Sequence, residues 1–237
     1  MLSASSSRSS ERSALRVGGL TRFTTIDFPG QLAAVVFCQG CPWRCGYCHN
    51  PELLDARQPA ALEWNAVLEF LRQRRGLLDG VVFSGGEPLA QSALPAALQQ
   101  VRDMGFATAL HTGGMYPERL AAALPLLDWV GLDVKAPWAR LAALTGMPGS
   151  ADKLRVALVR LLHSGVAHEC RSSWHPGLYP LQELRALGVE LQRLGLRHWV
   201  LQPCDDPRQP GSAAAARQAL AGLTPGQEGW PMFQLRA

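Results

Sequence analysis

The sequence predicts an α/β protein in which parallel strands alternate with helices packed outside the sheet. Short runs rich in β-branched and aromatic residues alternate about six times with Leu- and Ala-rich stretches, which is typical of βαβ units. Apolar residues make up 47% of the 237 residues, enough to bury a sizeable core. Within the Leu-rich stretches they recur at helical spacing, as in Leu154, Leu158 and Leu161. Such a sheet is open or curls into a full or partial barrel, and both forms gather ligands at the carboxyl ends of the strands.

The alternation predicts six strands and six helices. The predicted strands are 33–38, 80–84, 106–111, 129–134, 168–172 and 198–202. The predicted helices are 61–74, 92–104, 117–124, 152–164, 180–194 and 212–221. The tail after Gln202 is rich in Pro, Gly and Ala and gives no further prediction.

Composition argues against several classes of function. The net charge of +4 is small and scattered, so no nucleic-acid partner is expected. Because no run of about 18 apolar residues occurs, no membrane span is expected either. Residues 1–16 are rich in Ser and Arg and lack the apolar stretch of a signal peptide, which predicts a disordered leader and a cytoplasmic location. Residues 17–237 are expected to form a single domain without disulfides.

The most informative segment is a run of four cysteines that directly follows the first predicted strand. Cys41, Cys45 and Cys48 have the spacing C-x3-C-x2-C, and Cys38 is expected to be a small buried residue of the strand. Soft thiolates favour zinc or an iron–sulfur cluster. Structural zinc uses four ligands, usually as two distant pairs, whereas this chain has one trio and two isolated cysteines, Cys170 and Cys204. Iron–sulfur clusters usually take four cysteines, so a trio leaves one iron open to a ligand.

Polar residues also end two later predicted strands. Gly85-Gly86-Glu87 follows the second strand, where glycines allow close backbone approach and Glu87 offers a negative charge to an ammonium group. Asp133 and Lys135 end the fourth strand on one face, because side chains alternate along a strand. Opposite charges at that place suit a polar ligand, with a salt bridge at the rim as the alternative.

Two more strand ends hold candidate residues. Thr112 follows His111 at the end of the third strand, in a segment that is otherwise an ordinary turn. Arg171 and His175 lie at the end of the fifth strand. A structural or merely exposed role is the alternative for a lone histidine.

The cysteine spacing resembles that of the radical S-adenosylmethionine (SAM) superfamily, where the amine and carboxylate of SAM bind the open iron of a [4Fe–4S] cluster. The resemblance implies that Cys41, Cys45 and Cys48 hold this cluster, with Tyr47 as the aromatic residue before the last ligand. It also implies reductive cleavage of SAM to methionine and a 5′-deoxyadenosyl radical, which abstracts a hydrogen atom. The implied SAM-binding residues are Tyr47, Gly85, Gly86, Glu87, Asp133, Val134, Lys135 and His175, with Thr112 and Arg171 touching SAM or a partner.

Other segments narrow the resemblance to activating proteins of glycyl-radical enzymes, specifically those of the anaerobic ribonucleoside-triphosphate reductase. These segments are residues 24–30, Cys48-His49-Asn50-Pro51, and the stretches around Asp133 and His175. The resemblance implies a partial (β/α)6 TIM-like barrel of parallel strands with outer helices. It also implies a glycyl-radical enzyme as partner, and a flavodoxin or ferredoxin as electron donor. His111 stands where such enzymes often have an acidic residue and Gly113 where they have an asparagine, so contacts through those two side chains are not carried over.

Two alternatives remain open at this point. One is a radical SAM enzyme that acts on another glycyl-radical enzyme, such as pyruvate formate-lyase, or on a small molecule. The other is a non-catalytic protein in which the cysteine trio forms a structural zinc or electron-transfer site.

Overall fold

Eight strands form a sheet whose spatial order follows the order of the chain. The structure is a computed structural model that describes residues 14–223 and 232–236. The first strand runs antiparallel to the second, and all later neighbours are parallel. In the described part of the chain the first and last strands pair with one neighbour each, so the sheet is not closed. The strands are β1 (Val17–Thr24), β2 (Ala33–Cys38), β3 (Gly80–Gly85), β4 (Ala107–Thr112), β5 (Trp129–Asp133), β6 (Ala167–Trp174), β7 (His198–Pro203) and β8 (Met232–Leu235).

Within the described residues, seven α-helices connect the strands and pack against them through a shared apolar core, the outer core. Their apolar stripes face this core, and the fully buried Leu154, Leu158 and Leu161 form one such stripe. Three short 3-10 turns, at Pro51–Leu53, Pro88–Ala90 and Leu124–Leu126, complete the connections. The helices are α1 (Trp64–Arg72), α2 (Leu94–Asp103), α3 (Pro117–Ala123), α4 (Trp138–Thr145), α5 (Ser150–His163), α6 (Leu181–Arg193) and α7 (Ser212–Leu220).

The predicted fold class is confirmed, as are the six predicted strands and six predicted helices, with small shifts at their ends. Two strands and one α-helix of the described residues were not predicted. β1 contains two adjacent glycines and three exposed residues, so it lacks the apolar alternation of a buried strand. α4 has only eight residues and ends at Gly146 in the left-handed conformation (φ +66°), which leaves little periodicity to detect. β8 is a strand of only four residues in the tail that is rich in Pro, Gly and Ala, so it is too short to show alternation.

The inner face of the sheet is apolar near the amino ends of the strands. Val35, Val82 and Trp129 contribute to a small inner core, which is completed by Phe28 from the loop between β1 and β2. The Phe28 and Trp129 rings are 6.1 Å apart. This loop therefore fills the amino-terminal part of the inner face and leaves the carboxyl-terminal part to polar side chains.

The predicted boundary of the leader needs a correction. Residues 1–13 lie outside the described residues, but Leu15 is buried and the backbone N–H of Arg16 donates to Gln91 Oε1 at 2.8 Å. The folded part therefore begins by residue 15 rather than 17, because Leu15 adds apolar surface to the outer core. Among the described residues, no helix combines the length and hydropathy that a bilayer crossing requires.

Candidate functional site

A cavity of about 250 Å³ lies at the carboxyl ends of the strands. Residues 41–54, called the cysteine segment below, form one wall, and residues at the ends of β3 to β7 form the others. The cavity holds all three predicted cluster ligands and most of the predicted binding residues. The lining residues that were predicted are Cys41, Cys45, Tyr47, Cys48, Gly85, Gly86, Glu87, Thr112, Asp133, Lys135 and Arg171.

Backbone hydrogen bonds hold the cysteine segment over the ends of the strands. The N–H of Cys41 donates to Leu54 O at 3.2 Å, and that of Arg44 donates to Thr145 O at 2.7 Å. Within the trio, Cys48 N–H donates to Cys45 O at 3.1 Å. The three cysteines of the predicted cluster site are partly accessible, whereas Cys38, Cys170 and Cys204 are buried. The sequence places the trio on a loop that is anchored at several points.

The donors suit a cluster better than a single ion. Within residues 14–223 and 232–236, no three His, Cys, Asp or Glu side chains converge closely enough to hold one metal ion. In a cubane each thiolate binds a different iron, so the thiolates need to line one cavity rather than meet at one point. Burial raises the pKa of the Cys41 thiol to about 12 and also raises the pKa of Cys45. Iron that binds these thiols would therefore displace their protons.

The paired glycines dock the end of β3 against the cysteine segment. Gly85 has φ +99°, and a Cβ there would come within 2.7 Å of the Cys38 nitrogen. A Cβ on Gly86 would overlap the carbonyl oxygen of Gly40. Two backbone hydrogen bonds of 2.9 Å, from Gly86 to Cys38 O and from Glu87 to Gly40 O, fasten this contact. Both positions require glycine, because any side chain there would clash with neighbouring backbone atoms.

Glu87 fastens the end of β4 to that of β3. Its carboxylate accepts hydrogen bonds from Thr112 Oγ1 (2.7 Å), Gly113 N (2.9 Å) and Leu89 N (3.0 Å). Burial raises the pKa of Glu87, although these three donors act in the opposite direction. A carboxylate offers about four acceptor positions, so one remains for a ligand in the cavity.

Asp133 lies between two cations at the ends of β5 and β6. Its Oδ2 is 2.9 Å from Lys135 Nζ, and its Oδ1 is 2.9 Å from an Arg171 guanidinium nitrogen. Burial alone would raise the pKa of Asp133, but Lys135 and Arg171 outweigh it and hold this pKa below its usual range. The cluster of three groups carries a net positive charge that suits the carboxylate or hydroxyl groups of a polar ligand. Val134, by contrast, packs into the outer core, and its N–H already donates to Arg171 O at 2.8 Å, so its contact with SAM stays a prediction.

Trp43 and Tyr47 add two buried polar groups to the cavity. The Nε1 of Trp43 and the hydroxyl of Tyr47 are buried and have no hydrogen-bond partner among the described residues. The indole also lies 5.9 Å from Lys135 Nζ, as a cation–π pair. Buried polar groups are normally paired, so these two fit a polar ligand between the cysteine segment and the strand ends.

His111 is part of the inner face but does not carry a charge. Its Nε2 is 2.9 Å from Asp27 O, and its Nδ1 is 3.3 Å from the Ser84 hydroxyl. Burial, with a smaller contribution from Arg171, lowers the pKa of His111 to about 3. Its imidazole therefore replaces the acidic residue of related turns with a neutral group.

His175 is not brought into the cavity with the other predicted residues. It is 1% exposed, and its Nε2 faces Asp206 Oδ2 at 3.4 Å. Its contact with SAM stays a prediction. The alternation of β6 places Arg171 and Ser173 toward the cavity, whereas His175 follows the end of that strand.

Several cavity residues were missed by the sequence argument. Ser173 and Gln202 share the inward faces of β6 and β7, and the alternation that selected Asp133 and Lys135 could have selected them. Trp43 had no such signal, since its place depends on how the cysteine segment folds. The other lining residues outside the prediction are His49, Asn50, Leu54, Ser84, His111 and Gly113.

The partial barrel and its cysteine-lined cavity define a class of protein that binds a metal cluster and a polar ligand together. The family model of the radical SAM superfamily matches residues 35–197, and this chain belongs to that superfamily. The family uses a [4Fe–4S] cluster and SAM. The three thiols fit the cluster, and the unpaired polar groups of Trp43 and Tyr47 fit SAM. These cofactors and the enzyme class agree with the predictions from the sequence.

Three curated relatives share parts of the sequence. A protein of Methanocaldococcus jannaschii, provisionally named a glycyl-radical enzyme activating enzyme, is 28% identical over 68% of each chain. The pyruvate formate-lyase-activating enzyme of Clostridium pasteurianum is 34% identical over 51% of this chain and 52% of its own. That of Streptococcus mutans is 33% identical over 50% of each chain. The chain thus spans about half the length of the two pyruvate formate-lyase-activating enzymes.

Solved structures share the fold. A radical SAM methyltransferase from Sphaerobacter thermophilus has a TM-score of 0.64 at 20% identity, covering 90% of this chain and 68% of that one. QueE from Escherichia coli has a TM-score of 0.57 at 17% identity, covering 98% and 99% of the two chains. At these identities the likeness concerns the fold alone.

Proposed function

We propose that this protein is an activase that uses SAM to generate a glycyl radical on a partner enzyme, and that the partner is an anaerobic ribonucleoside-triphosphate reductase. The observation that carries the proposal is the cavity itself, which joins three thiols, one buried carboxylate and a carboxylate between two cations. The names of the relatives support the activase class. Residues 24–30 and Cys48-His49-Asn50-Pro51 support the choice of reductase.

The proposed roles follow from the positions of the side chains. Cys41, Cys45 and Cys48 would hold the cluster. When bound, the cluster supplies the electron that splits SAM into methionine and a 5′-deoxyadenosyl radical, which takes a hydrogen atom from glycine Cα of the partner. The free acceptor position of Glu87 suits the SAM amine, and Asp133 with Lys135 suits its polar groups. Thr112 acts through Glu87, to which it donates a hydrogen bond.

An open sheet provides a route for a loop of the partner protein. Within the described residues, β1 and β8 are edge strands, and no further strand joins them. Arg171, Ser173 and Gln202 line the cavity from the side nearer to β8. A glycine-bearing loop that enters on this side would meet polar groups while the cysteine segment shields the opposite wall from water. A flavodoxin or ferredoxin is the proposed electron donor, and the cytoplasm the proposed location.

The test begins with anaerobic purification and reconstitution with iron and sulfide. With dithionite and SAM, the protein should form 5′-deoxyadenosine, and Cys45→Ala should abolish this product. Cys170→Ala is the matched control, because Cys170 is a buried cysteine of the outer core that lies outside the cavity. An active Cys45→Ala protein, or a colourless wild-type protein that holds zinc, would contradict the proposal.

Identification of the partner needs a separate experiment. The reconstituted protein is mixed with SAM, reductant and either the anaerobic reductase or a pyruvate formate-lyase from the same source. A glycyl-radical signal in electron paramagnetic resonance with the reductase alone supports the proposal. A signal with the lyase alone replaces the reductase by the lyase and leaves the activase class intact.

A further inference from the structure

The loop after β7, residues 204–209, packs against the outer side of the cysteine segment. The backbone oxygen of Asp205 lies 2.9 Å from His49 Nε2, directly after the ligand Cys48. The guanidinium of Arg208 lies against Gly46, between the ligands Cys45 and Cys48, so closely that a Cβ on Gly46 would overlap it. Neither Gly46 nor Arg208 lines the cavity. The loop therefore supports the segment from behind.

Arg208 is itself fixed by a buried carboxylate. Asp206 has no exposed side-chain surface, and its two oxygens accept from Arg208 Nε at 3.0 Å and from a terminal nitrogen at 2.8 Å. The backbone N–H of Arg208 donates to the same carboxylate at 2.9 Å. A two-point contact of this kind fixes both the position and the plane of the guanidinium.

His175 completes the support on the side of β6. Its Nδ1 accepts the backbone N–H of Gly177 at 3.1 Å, so the proton of the neutral ring is on Nε2, which faces Asp206. The N–H of Asp206 donates to Ser212 Oγ at 2.8 Å, at the start of α7. The backbone of Asp206 is thus tied to α7, and its carboxylate, which packs beside the His175 imidazole, holds Arg208.

We propose that Arg208 is a positioning residue for the iron–sulfur cluster, held in place by Asp206. Its planar guanidinium would set the course of the chain between Cys45 and Cys48, through its contact with Gly46. Partners that orient metal ligands affect both the affinity for the metal and its redox properties. The proposal rests on the cysteine trio holding the cluster and does not depend on the identity of the partner enzyme.

The same chain contains a matched control. Asp55-Ala56-Arg57 forms an equivalent pair, with Arg57 Nε 3.1 Å from Asp55 Oδ1 and the Arg57 N–H donating to the same atom. This pair is exposed, with 91% of the Arg57 side chain accessible, whereas the Asp206 carboxylate is fully buried. Arg57→Ala therefore removes an Asp-x-Arg pair without touching the proposed support.

The first experiment measures how firmly the reconstituted cluster is held. Iron release to a chelator and the electron paramagnetic resonance spectrum of the reduced cluster are compared for wild type, Arg208→Ala, Arg208→Lys and Arg57→Ala. Arg208→Ala should release iron on the order of 10-fold faster, with altered g-values. Arg208→Lys should restore only part of the resistance, because lysine keeps the charge but not the planar fork. Arg57→Ala should match wild type.

A second experiment tests the contact with Gly46. Gly46 has no positive φ, so alanine suits its backbone, and the three atoms nearest to the added methyl group all belong to the Arg208 guanidinium. Gly46→Ala should speed iron release, and Gly46→Ala/Arg208→Ala should be no worse than Arg208→Ala alone. Such coupling between neighbours is what a direct contact requires.

The outcomes separate this proposal from the proposed function. If wild type carries a cluster, and Arg208→Ala and Gly46→Ala both match it in iron release and spectrum, the positioning role is wrong and the activase proposal stands. If wild type takes up no cluster, the activase proposal is wrong, and the positioning role, which depends on the cluster, is wrong with it. If Arg208→Ala loses native circular dichroism, Asp206→Asn serves instead, since it weakens the hold on Arg208 without leaving an unpaired buried carboxylate.

Discussion

The indole of Trp43 lies against the backbone of Gly113, at the end of β4. Trp43 comes from the stretch between the first two ligand cysteines, and Gly113 follows Thr112, so this contact joins the cysteine segment to the sheet. It also explains why position 113 is a glycine, since a Cβ there would overlap the ring. The tryptophan side chain therefore occupies the place that a larger residue would take.

Gly113→Ala should displace Trp43 and lower the affinity for SAM. Inserting a methyl group into a packed site costs roughly 1–3 kcal/mol, which corresponds to a loss of about 5- to 150-fold if it falls on binding. Isothermal titration of the reconstituted protein with SAM measures this. Gly19→Ala is the control, because a Cβ there would make only ordinary contacts at 3.7 Å or more. Equal SAM affinity in both variants would show that Trp43 does not shape the cavity.

Glu87→Gln should destabilise the protein even without SAM. The Glu87 carboxylate accepts from two backbone N–H groups and one hydroxyl, and an amide places its own NH2 group against one of these donors. The expected loss is roughly 1–3 kcal/mol of unfolding free energy, measured by urea denaturation of the cluster-free protein. Thr112→Ser, which keeps the hydroxyl that donates to Glu87 and accepts from the Gly114 N–H, should cost less. Unchanged stability of Glu87→Gln would mean that the carboxylate serves the ligand alone.

Asp133→Asn should destabilise the protein more than Lys135→Met does. Removing the carboxylate leaves Lys135 and Arg171 facing each other, with only 22% and 12% of their side chains exposed. Breaking a buried pair costs about 3–5 kcal/mol, and partial exposure here favours the lower end of that range. Lys135→Met leaves the Asp133–Arg171 contact intact and should cost less. Urea denaturation at low and high salt checks both, and equal losses in the two variants would contradict the arrangement.

The chemistry of the site could be predicted from the sequence wherever it depends on spacing or strand alternation. The cysteine trio, Gly85-Gly86-Glu87 and the Asp133/Lys135 pair lie together at the ends of neighbouring strands, as parallel topology requires. Trp43 and Arg208 could not be predicted, because each depends on the path of a loop across the sheet rather than on a local pattern. His175 shows the same limit, since it follows the end of β6 and packs toward Asp206 instead of the cavity.

His111 should make the stability of the protein depend on pH below neutrality. Its pKa is lowered to about 3 by burial and by Arg171, with Arg236 adding to this and Asp133 and the Asp27 carbonyl opposing it. The unfolded chain takes up a proton near pH 6.5, so the folded state loses stability as the pH falls from 6.5 toward 3. Between pH 7 and pH 5 this amounts to about 2 kcal/mol. Urea denaturation of His111→Gln, which cannot be protonated, should lack this component, and parallel pH profiles for wild type and variant would show that His111 is protonated in the folded protein.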